Sequence, residues 1–212
     1  MGQACIYLVD DDDDVRQSVQ YALESAGYLV RAFTGPKNFQ TFAPNITKGV
    51  ILLDMRMPDF SGLEVQAWLK KHGYRTPIVF ISGESQPYEI IEAMKLDAVD
   101  FLLKPFALSK LLEAVEKALA LDASRQEKAS RELRVRQLWG NLTPREREVC
   151  HLMTKGYANR EIAELHQSVP DTVKLHRRRV MEKMAVDSLP DLVQLLEGLD
   201  LPHWLVQTAS KA

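Results

Sequence analysis

The 212-residue sequence lacks the features that mark secreted, disulfide-bonded or membrane-spanning proteins. Cysteine is scarce, because Cys5 and Cys150 are the only two, and they lie far apart in no metal-ligand spacing. A reduced protein is the simplest interpretation. No apolar run approaches the ~18 residues of a membrane-spanning helix, and the N-terminus has no basic segment leading into an apolar stretch, as a secretion signal has. We therefore expect a cytoplasmic protein without a membrane partner.

The chain also lacks a strong net charge, since 29 acidic residues nearly balance 27 basic ones. The charges are nevertheless unevenly distributed. Residues 1–121 contain 16 acidic and 12 basic side chains, residues 122–142 contain 3 and 5, and residues 143–212 contain 10 of each. Within Thr172–Lys183 there are five basic residues and one acidic residue. The N-terminal part therefore suits a metal cation, and a short C-terminal stretch suits anions.

The first 121 residues alternate short apolar runs with amphipathic stretches five times. The apolar runs are short enough to be buried strands, and each is followed by a helical pattern. The predicted strands cover residues 4–9, 28–33, 50–53, 78–81 and 99–103. Five such units predict an α/β domain with a doubly wound, five-stranded parallel sheet.

The pattern beyond residue 121 predicts helices alone. From Ser109 to Leu138 there is no proline or glycine, so the last helix of the α/β domain is expected to continue through a helical linker at 122–142. Thr143, Pro144 and Glu146 form a strong helix-start signal. Four helices are expected at about 144–155, 159–166, 170–184 and 188–198, forming an all-α domain with a C-terminal tail over residues 143–212.

Five polar residues follow the predicted strands where parallel strands end, which is where open α/β sheets bind ligands. They are Asp10, Asp11, Asp54, Ser82 and Lys104. Three carboxylates, a hydroxyl and an ammonium group can together hold a divalent cation and a phosphoryl group. This set predicts a phosphoryl-transfer site at one edge of the sheet.

Each member of this set has an expected role. Asp11 and Asp54 would supply carboxylate oxygens to Mg²⁺ or Mn²⁺, the backbone carbonyl of Arg56 would add a third ligand, and Asp10 would act mostly through a bound water. Lys104 would neutralise phosphoryl oxygens. Ser82 would offer a hydroxyl donor once the phosphoryl group is present.

Residues 1–121 resemble the receiver domain of two-component response regulators, which has a flavodoxin-like fold. The matching segments are Leu8-Val-Asp-Asp11, Leu53-Asp-Met-Arg-Met-Pro58 followed by Gly62, Ile81-Ser-Gly83, and Asp100-Phe-Leu-Leu-Lys-Pro-Phe106. The resemblance implies that Asp54 accepts a phosphoryl group from a sensor histidine kinase, with Mg²⁺ bound. Ser82 and Phe101 would then move as a switch. The family commonly has glycine before the fifth strand, where this chain has Leu96-Asp97, so we expect an altered turn there.

Residues 143–197 resemble the LuxR-type helix-turn-helix of the NarL/FixJ group. The matching segments are Leu142-Thr-Pro-Arg-Glu-Arg-Glu-Val149, Gly156, Asn159-Arg-Glu-Ile-Ala163 and Thr172-Val-Lys-Leu-His-Arg-Arg-Arg-Val-Met-Glu-Lys-Met184. The resemblance implies double-stranded promoter DNA as a partner. Base-edge contacts are expected from Lys174, Leu175 and Arg178. The remaining expected DNA-binding residues, mostly at phosphates, are Thr172, His176, Arg177, Arg179, Asn159 and Arg160.

The turn before the predicted recognition helix departs from this group. Gln167 replaces the usual glycine, Ser168 a buried aliphatic residue, and Val169 the helix-capping serine. Loss of a good cap costs ~1 kcal/mol. We therefore expect a module that is less stable, or binds DNA less tightly, than is usual for the group.

These observations favour a response regulator and transcription factor in which phosphorylation of Asp54 controls dimerisation and promoter binding. RNA polymerase is a further candidate partner. The protein is not expected to be an enzyme, since the receiver only promotes its own phosphorylation and dephosphorylation. One alternative is a DNA-binding regulator that works without phosphorylation and uses the receiver as a dimerisation scaffold. Another is a Mg²⁺-dependent aspartyl-phosphate phosphohydrolase, but the position of its general acid is occupied here by Arg56.

Overall fold

The computed structural model describes residues 4–58 and 60–197. The chain divides into two compact units, Met1–Gln126 and Glu127–Ala212. The C-terminal tail expected from the sequence lies outside the described residues. Within the described part of the chain, no helix is both long and apolar enough to cross a membrane.

The first unit contains a five-stranded parallel sheet in the order β2-β1-β3-β4-β5, which confirms the predicted α/β fold. The strands are β1 (Cys5–Val9), β2 (Leu29–Phe33), β3 (Gly49–Asp54), β4 (Ile78–Ser82) and β5 (Asp100–Leu103). The helices of this unit are α1 (Asp13–Ser25), α2 (Pro36–Phe42), α3 (Gly62–Lys71) and α4 (Pro87–Lys95), and α5 (Leu108–Gly140) begins in it. A short 3₁₀ turn at Ala43–Asn45 follows α2.

Alternate residues of the central strands enter two separate hydrophobic cores. On one face Ile51, Leu53 and Phe80 are buried, and on the other Leu52 and Val79 are buried. All six residues of β3 are buried. A sheet that is covered on both faces needs continuous apolar strands, which is why the sequence shows runs rather than alternation.

Strand register brings the polar strand ends to one edge of the sheet. Val9 of β1 pairs with Leu53 of β3, so Asp10 and Asp54 become neighbours. Helix α3 starts unusually close to this edge. A Cβ atom on Gly62 would lie 2.5 Å from the carbonyl oxygen of Asp54. Glycine at this position therefore lets α3 begin directly beside the acceptor strand.

Asp12 and Asp10, which lie close together before α1, have different roles: Asp12 caps the helix, and Asp10 faces the site. The side chain of Asp12 accepts the backbone N–H groups of Asp14 and Val15 and so caps α1, as is typical of aspartate at this position. Arg16 is buried and donates to the carbonyl oxygen of Asp10 at 2.9 Å. The carboxylate of Asp10 also accepts the N–H of Asp12 at 3.0 Å through Oδ1, so the backbone before α1 is fixed and Oδ2 faces the site.

Helix α5 has buried side chains in both units, although Leu108 at its start and Gly140 at its end are exposed. In the first unit, the carboxylate of Asp122 accepts the N–H of Gly49 at 3.0 Å and the amide of Gln126 at 2.6 Å. In the second unit, Val135 and Trp139 belong to the hydrophobic core. Helix α5 therefore contributes side chains to both units.

The second unit contains the four expected helices after α5. They are α6 (Pro144–Thr154), α7 (Asn159–Leu165), α8 (Pro170–Met184) and α9 (Leu189–Leu196). Thr143 and Glu146 form the capping box that starts α6. Val173, Val180 and Met184 of α8 are buried against the other helices, as their helical spacing predicts.

Two positions where related sequences favour glycine adopt left-handed backbone here. Asp97, after α4, has φ +71°, and Gln167, before α8, has φ +48°. The side chain of Asp97 accepts a hydrogen bond from Lys70 at 3.1 Å. Val169 stands at the N-cap of α8 without a side-chain hydrogen bond. Asp97 and Gln167 therefore adopt left-handed backbone that glycine adopts more easily, and Val169 lacks the capping oxygen that a serine would provide.

Candidate phosphoryl-acceptor site and nucleic-acid interface

Lys104 joins two of the predicted acidic residues. Its ammonium group donates to Asp54 Oδ1 at 2.7 Å and to Asp10 Oδ2 at 2.9 Å. Asp10 and Asp54 are almost fully buried, at 1% and 5% exposure. Lys104 directly follows β5, and its peptide bond to Pro105 is cis. Three residues from three different strand ends therefore form one ion-paired cluster.

The environment of Asp54 disfavours its charged form. Burial raises the pKa of the Asp54 carboxyl group, and Asp10 adds to this effect, whereas the contact with Lys104 lowers the pKa. The backbone N–H of Arg56 donates to Asp54 Oδ2 at 2.6 Å. The carboxylate is therefore held by an ammonium group on one oxygen and by a backbone amide on the other.

Ser82 ends β4 but does not bond to Asp54. Its hydroxyl donates to the carbonyl oxygen of Glu84 at 2.7 Å and accepts from the hydroxyl of Ser85 at 2.9 Å. Phe101, the other predicted switch residue, is half-buried on β5 and stacks on Phe80 with ring centroids 5.9 Å apart. Each candidate switch residue thus has partners of its own outside the acidic cluster.

The acidic residues provide the oxygen ligands that Mg²⁺ prefers. Asp10, Asp11 and Asp54 carry three formal negative charges against one positive charge on Lys104, and Asp11 is exposed. Among the described residues, no three His, Cys, Asp or Glu side chains form a ready-made metal cluster. The charge and the donor type fit a hard divalent cation, and Lys104 now bonds two of the carboxylates that such an ion would use.

A surface cavity of about 570 Å³ adjoins the acidic cluster. Helix α1 supplies one wall, and the residues that follow β5 supply the other. The lining residues are Asp14, Val15, Ser18, Val19, Lys104, Pro105 and Phe106. Because Lys104 belongs to both features, this cavity opens beside the candidate acceptor.

Helix α8 presents most of the predicted DNA-binding side chains to solvent. Thr172, Lys174, Leu175, Arg178 and Arg179 are exposed. The buried residues of the same helix lie on the opposite side. This arrangement of an apolar and a basic face suits a helix that enters a groove of DNA.

Two predicted contact residues of α8 are half-buried. Arg177 donates to the carbonyl oxygen of Tyr157 at 3.3 Å. His176 is half-buried, and its Nδ1 atom has no hydrogen-bond partner among the described residues. Asn159 begins α7 and is half-buried, whereas Arg160 is exposed. The candidate DNA-facing set is therefore split between exposed and half-buried side chains.

Lys183, which the sequence places in the basic stretch, is paired inside its own unit. It donates to Glu146 Oε2 at 2.7 Å, and the Glu146 side chain is 2% exposed. Burial alone would raise the pKa of Glu146, but the bonds from Lys183 and Thr143 lower it. Lys183 therefore compensates a buried charge, and the sequence pattern gave no sign of this long-range pair.

Sequence reasoning also missed the side chain of Arg56. Its Nε donates to the carbonyl oxygen of Glu84 at 3.0 Å, and its Nη2 lies 3.3 Å from Glu89 Oε2. The position of Arg56, two residues after the acceptor, could have marked it as a functional residue. Its partners lie 28 and 33 residues away and leave no local pattern in the sequence. Ser85, whose hydroxyl donates to Ser82 three residues away, was also missed.

Comparison with known families matches both parts of the chain. Residues 6–116 match the response regulator receiver domain, and residues 140–196 match the luxR family of bacterial regulatory proteins. The chain is 40% identical to the tetrathionate response regulatory protein TtrR of Salmonella typhimurium over 205 residues. This match covers 97% of this chain and 98% of that protein. It is 35% identical over 192 residues to the transcriptional regulatory protein FixJ of Bradyrhizobium diazoefficiens, covering 90% and 93%.

Solved structures give the same result. The response regulator StyR matches with a TM-score of 0.84 at 37% identity, over 92% of this chain and 99% of that chain. Full-length FixJ from B. japonicum matches with a TM-score of 0.59 at 33% identity, over 92% and 97%.

Proposed function

This chain belongs to the two-component response regulators that join a receiver domain to a LuxR-type DNA-binding domain, and from that membership we propose that Asp54 is its phosphoryl acceptor. The chain is thus a two-component transcription regulator, of a family of regulators rather than classical enzymes. A receiver domain implies a sensor kinase as partner, and a LuxR-type domain implies DNA binding. The observation that carries the proposal is the ion-paired contact between Lys104 and Asp54.

The proposed transfer uses the residues of this cluster. An oxygen of Asp54 attacks the phosphorus atom of a phosphohistidine on the kinase, an O–P bond forms, and the N–P bond to histidine breaks. Lys104 supplies positive charge to the phosphoryl oxygens. Receiver domains generally use Mg²⁺ for this step, and the ion neutralises phosphoryl charge when bound. Asp11, Asp54 and the carbonyl of Arg56 are the proposed ligands, Asp10 would act mostly through a bound water, and Mn²⁺ would serve as a substitute.

The kinase would approach over the cavity beside α1. Val15, Val19 and Phe106 provide apolar side chains there, and Lys104 belongs to the same lining. A partner that packs on this surface brings its phosphoryl group next to Asp54. This placement also keeps water from part of the site during transfer.

The proposed output is a dimer that binds promoter DNA. After transfer, the Ser82 hydroxyl turns to a phosphoryl oxygen and Phe101 turns inward, which changes the surface of the receiver and favours pairing. Two copies of α8 then contact two half-sites about one helical turn apart. We place the receiver at residues 1–121, the linker at 122–142 and the DNA-binding domain at 143–212, in a cytoplasmic protein. RNA polymerase is a further proposed partner.

Intact mass spectrometry after incubation with acetyl phosphate and Mg²⁺ tests the acceptor. We expect one phosphoryl adduct on the wild type and on Asp97→Asn, which removes an exposed carboxylate of the same unit. We expect none on Asp54→Asn and none without Mg²⁺. Sedimentation of the phosphorylated protein then tests dimerisation. A folded wild type that takes up neither a phosphoryl group nor beryllofluoride would favour the scaffold alternative.

A further inference from the structure

The side chain of Arg56 has no part in the proposed transfer, which uses only its backbone. Its Nε nevertheless donates to the carbonyl oxygen of Glu84, and the hydroxyl of Ser82 donates to that same oxygen. The Glu84 carbonyl oxygen therefore accepts hydrogen bonds both from Ser82, the candidate switch residue, and from Arg56, two positions after the acceptor. The two hydrogen bonds are 3.0 and 2.7 Å long.

These bonds fix the resting orientation of Ser82. A hydroxyl group has one hydrogen to donate, and that hydrogen is directed at Glu84. The hydroxyl oxygen also accepts from Ser85 at 2.9 Å. Ser82 must therefore release the Glu84 carbonyl before it can donate to a phosphoryl group on Asp54.

An ion pair holds the Glu84 segment to the acceptor loop. Arg56 Nη2 lies 3.3 Å from Glu89 Oε2, and the Glu89 side chain is 14% exposed. Glu89 also accepts the N–H of Gln86 at 2.6 Å, in the capping box that starts α4. Through these contacts, Arg56 ties the loop after β3 to the loop after β4 and to the start of α4.

We propose that Arg56 and Glu89 are positioning residues that hold Ser82 in its resting orientation and so oppose activation of the receiver. The inference rests on the proposed function, since it assumes that Asp54 is the acceptor and Ser82 the switch hydroxyl. An activating ligand must offset the free energy that stabilises the resting state, so its apparent affinity falls accordingly. Because Arg56 is half-exposed, the pair has only a moderate effect, of about three- to fivefold.

The inference is tested by titrating the full-length protein with beryllofluoride at saturating Mg²⁺ and measuring the affinity by isothermal titration calorimetry. Glu89→Gln removes the charge pair but keeps the helix cap, since glutamine also serves at that position. Arg56→Gln removes both side-chain bonds. We expect each variant to bind beryllofluoride about three- to fivefold more tightly than the wild type. The gain in beryllofluoride affinity of the double variant should be much smaller than the product of the two single gains, because both changes break the same interaction.

Lys70→Gln is the matched control. It breaks a different exposed ion pair of similar length, between Lys70 and Asp97 at 3.1 Å, and should leave the affinity unchanged. Equal or weaker binding by both variants would overturn the inference, since Arg56 would then be passive or would itself contact the bound group. A wild type that fails to bind beryllofluoride would overturn the proposed function and this inference together.

Discussion

The ammonium group of Lys104 lies 2.7 Å from a carboxylate oxygen of Asp54, across fifty residues of sequence. The same group also bonds Asp10 at 2.9 Å. One cation therefore serves two buried anions, and the cluster retains a negative charge of its own. The excess of buried negative charge attracts a cation, and it destabilises the fold when no cation is bound.

The first prediction concerns the charge on Asp54. Burial raises its pKa above the usual 3.8, so the folded state binds this proton more tightly than the unfolded chain. The ionised carboxylate therefore costs stability at neutral pH, and the cost shrinks as the pH falls toward 3.8. We expect Asp54→Asn to raise the free energy of unfolding by about 1 kcal/mol at pH 7 without Mg²⁺.

Urea denaturation at pH 7 and near the lower end of the stable range measures this effect. The gain from Asp54→Asn should shrink at the lower pH, and Asp97→Asn should change stability little at either. A variant less stable than the wild type at neutral pH would show that the carboxylate of Asp54 stabilises the fold.

The second prediction concerns the metal. A ligand that binds only the folded receiver stabilises it, by about 1.4 kcal/mol at ten times its dissociation constant. We expect Mg²⁺ to raise the melting temperature of the receiver by about 5 °C. Asp11→Asn should abolish this shift without lowering the melting temperature in metal-free buffer, because Asp11 is exposed. A full shift in Asp11→Asn, measured by differential scanning fluorimetry, would exclude Asp11 as a ligand.

The third prediction concerns the turn before α8. Gln167 has φ +48°, a conformation that costs a side-chain-bearing residue about 1 kcal/mol relative to glycine. We expect Gln167→Gly to stabilise the second unit by about that amount. Gln167→Ala should give no such gain, since alanine has the same backbone restriction. Thermal unfolding of the three proteins distinguishes these cases, and equal stabilisation by alanine would assign the effect to the side chain instead.

The fourth prediction concerns the buried pair in the second unit. Lys183→Gln leaves Glu146 buried without its cation and should destabilise this unit by about 2 kcal/mol, less than for a fully buried pair because Lys183 is partly exposed. Since the pKa of Glu146 is lowered, its contribution is present at neutral pH and is lost as the pH falls below 4.5. Urea denaturation should show the loss at pH 7. An unchanged stability would mean that water replaces the lysine.

The strands, the helices and the five polar strand ends could be predicted from the sequence because they depend on the local pattern of apolar and polar residues. Hydrophobic runs specify β3 and β4, and parallel strands end at one edge, so the meeting of Asp54 with Asp10 and Lys104 was foreseeable. The left-handed turn at Gln167 was foreseeable because glycine is usual there.

Contacts between side chains that are far apart in the sequence could not be predicted in this way. The pairing of Arg56 with Glu89, and of Lys183 with Glu146, joins segments 33 and 37 residues apart. A charged side chain with several anions within reach in sequence gives no local sign of which one it will meet. The direction of the Ser82 hydroxyl could not be predicted from the sequence either, since a carbonyl group of the following loop determines it.

The last prediction separates the two kinds of DNA contact expected from α8. Arg178 is exposed and forms an ion pair with Glu182, 3.4 Å away, and family resemblance directs it to a base edge. Arg178→Ala should therefore weaken binding to the specific site by about 1–3 kcal/mol and relax specificity at one position. Arg179→Ala should weaken specific and random DNA equally and reduce the salt dependence by about one counterion. Binding isotherms at several salt concentrations measure both effects, with Arg134→Ala, an exposed basic residue of α5, as the control. Equal losses on random and specific DNA for Arg178→Ala would place Arg178 at a phosphate.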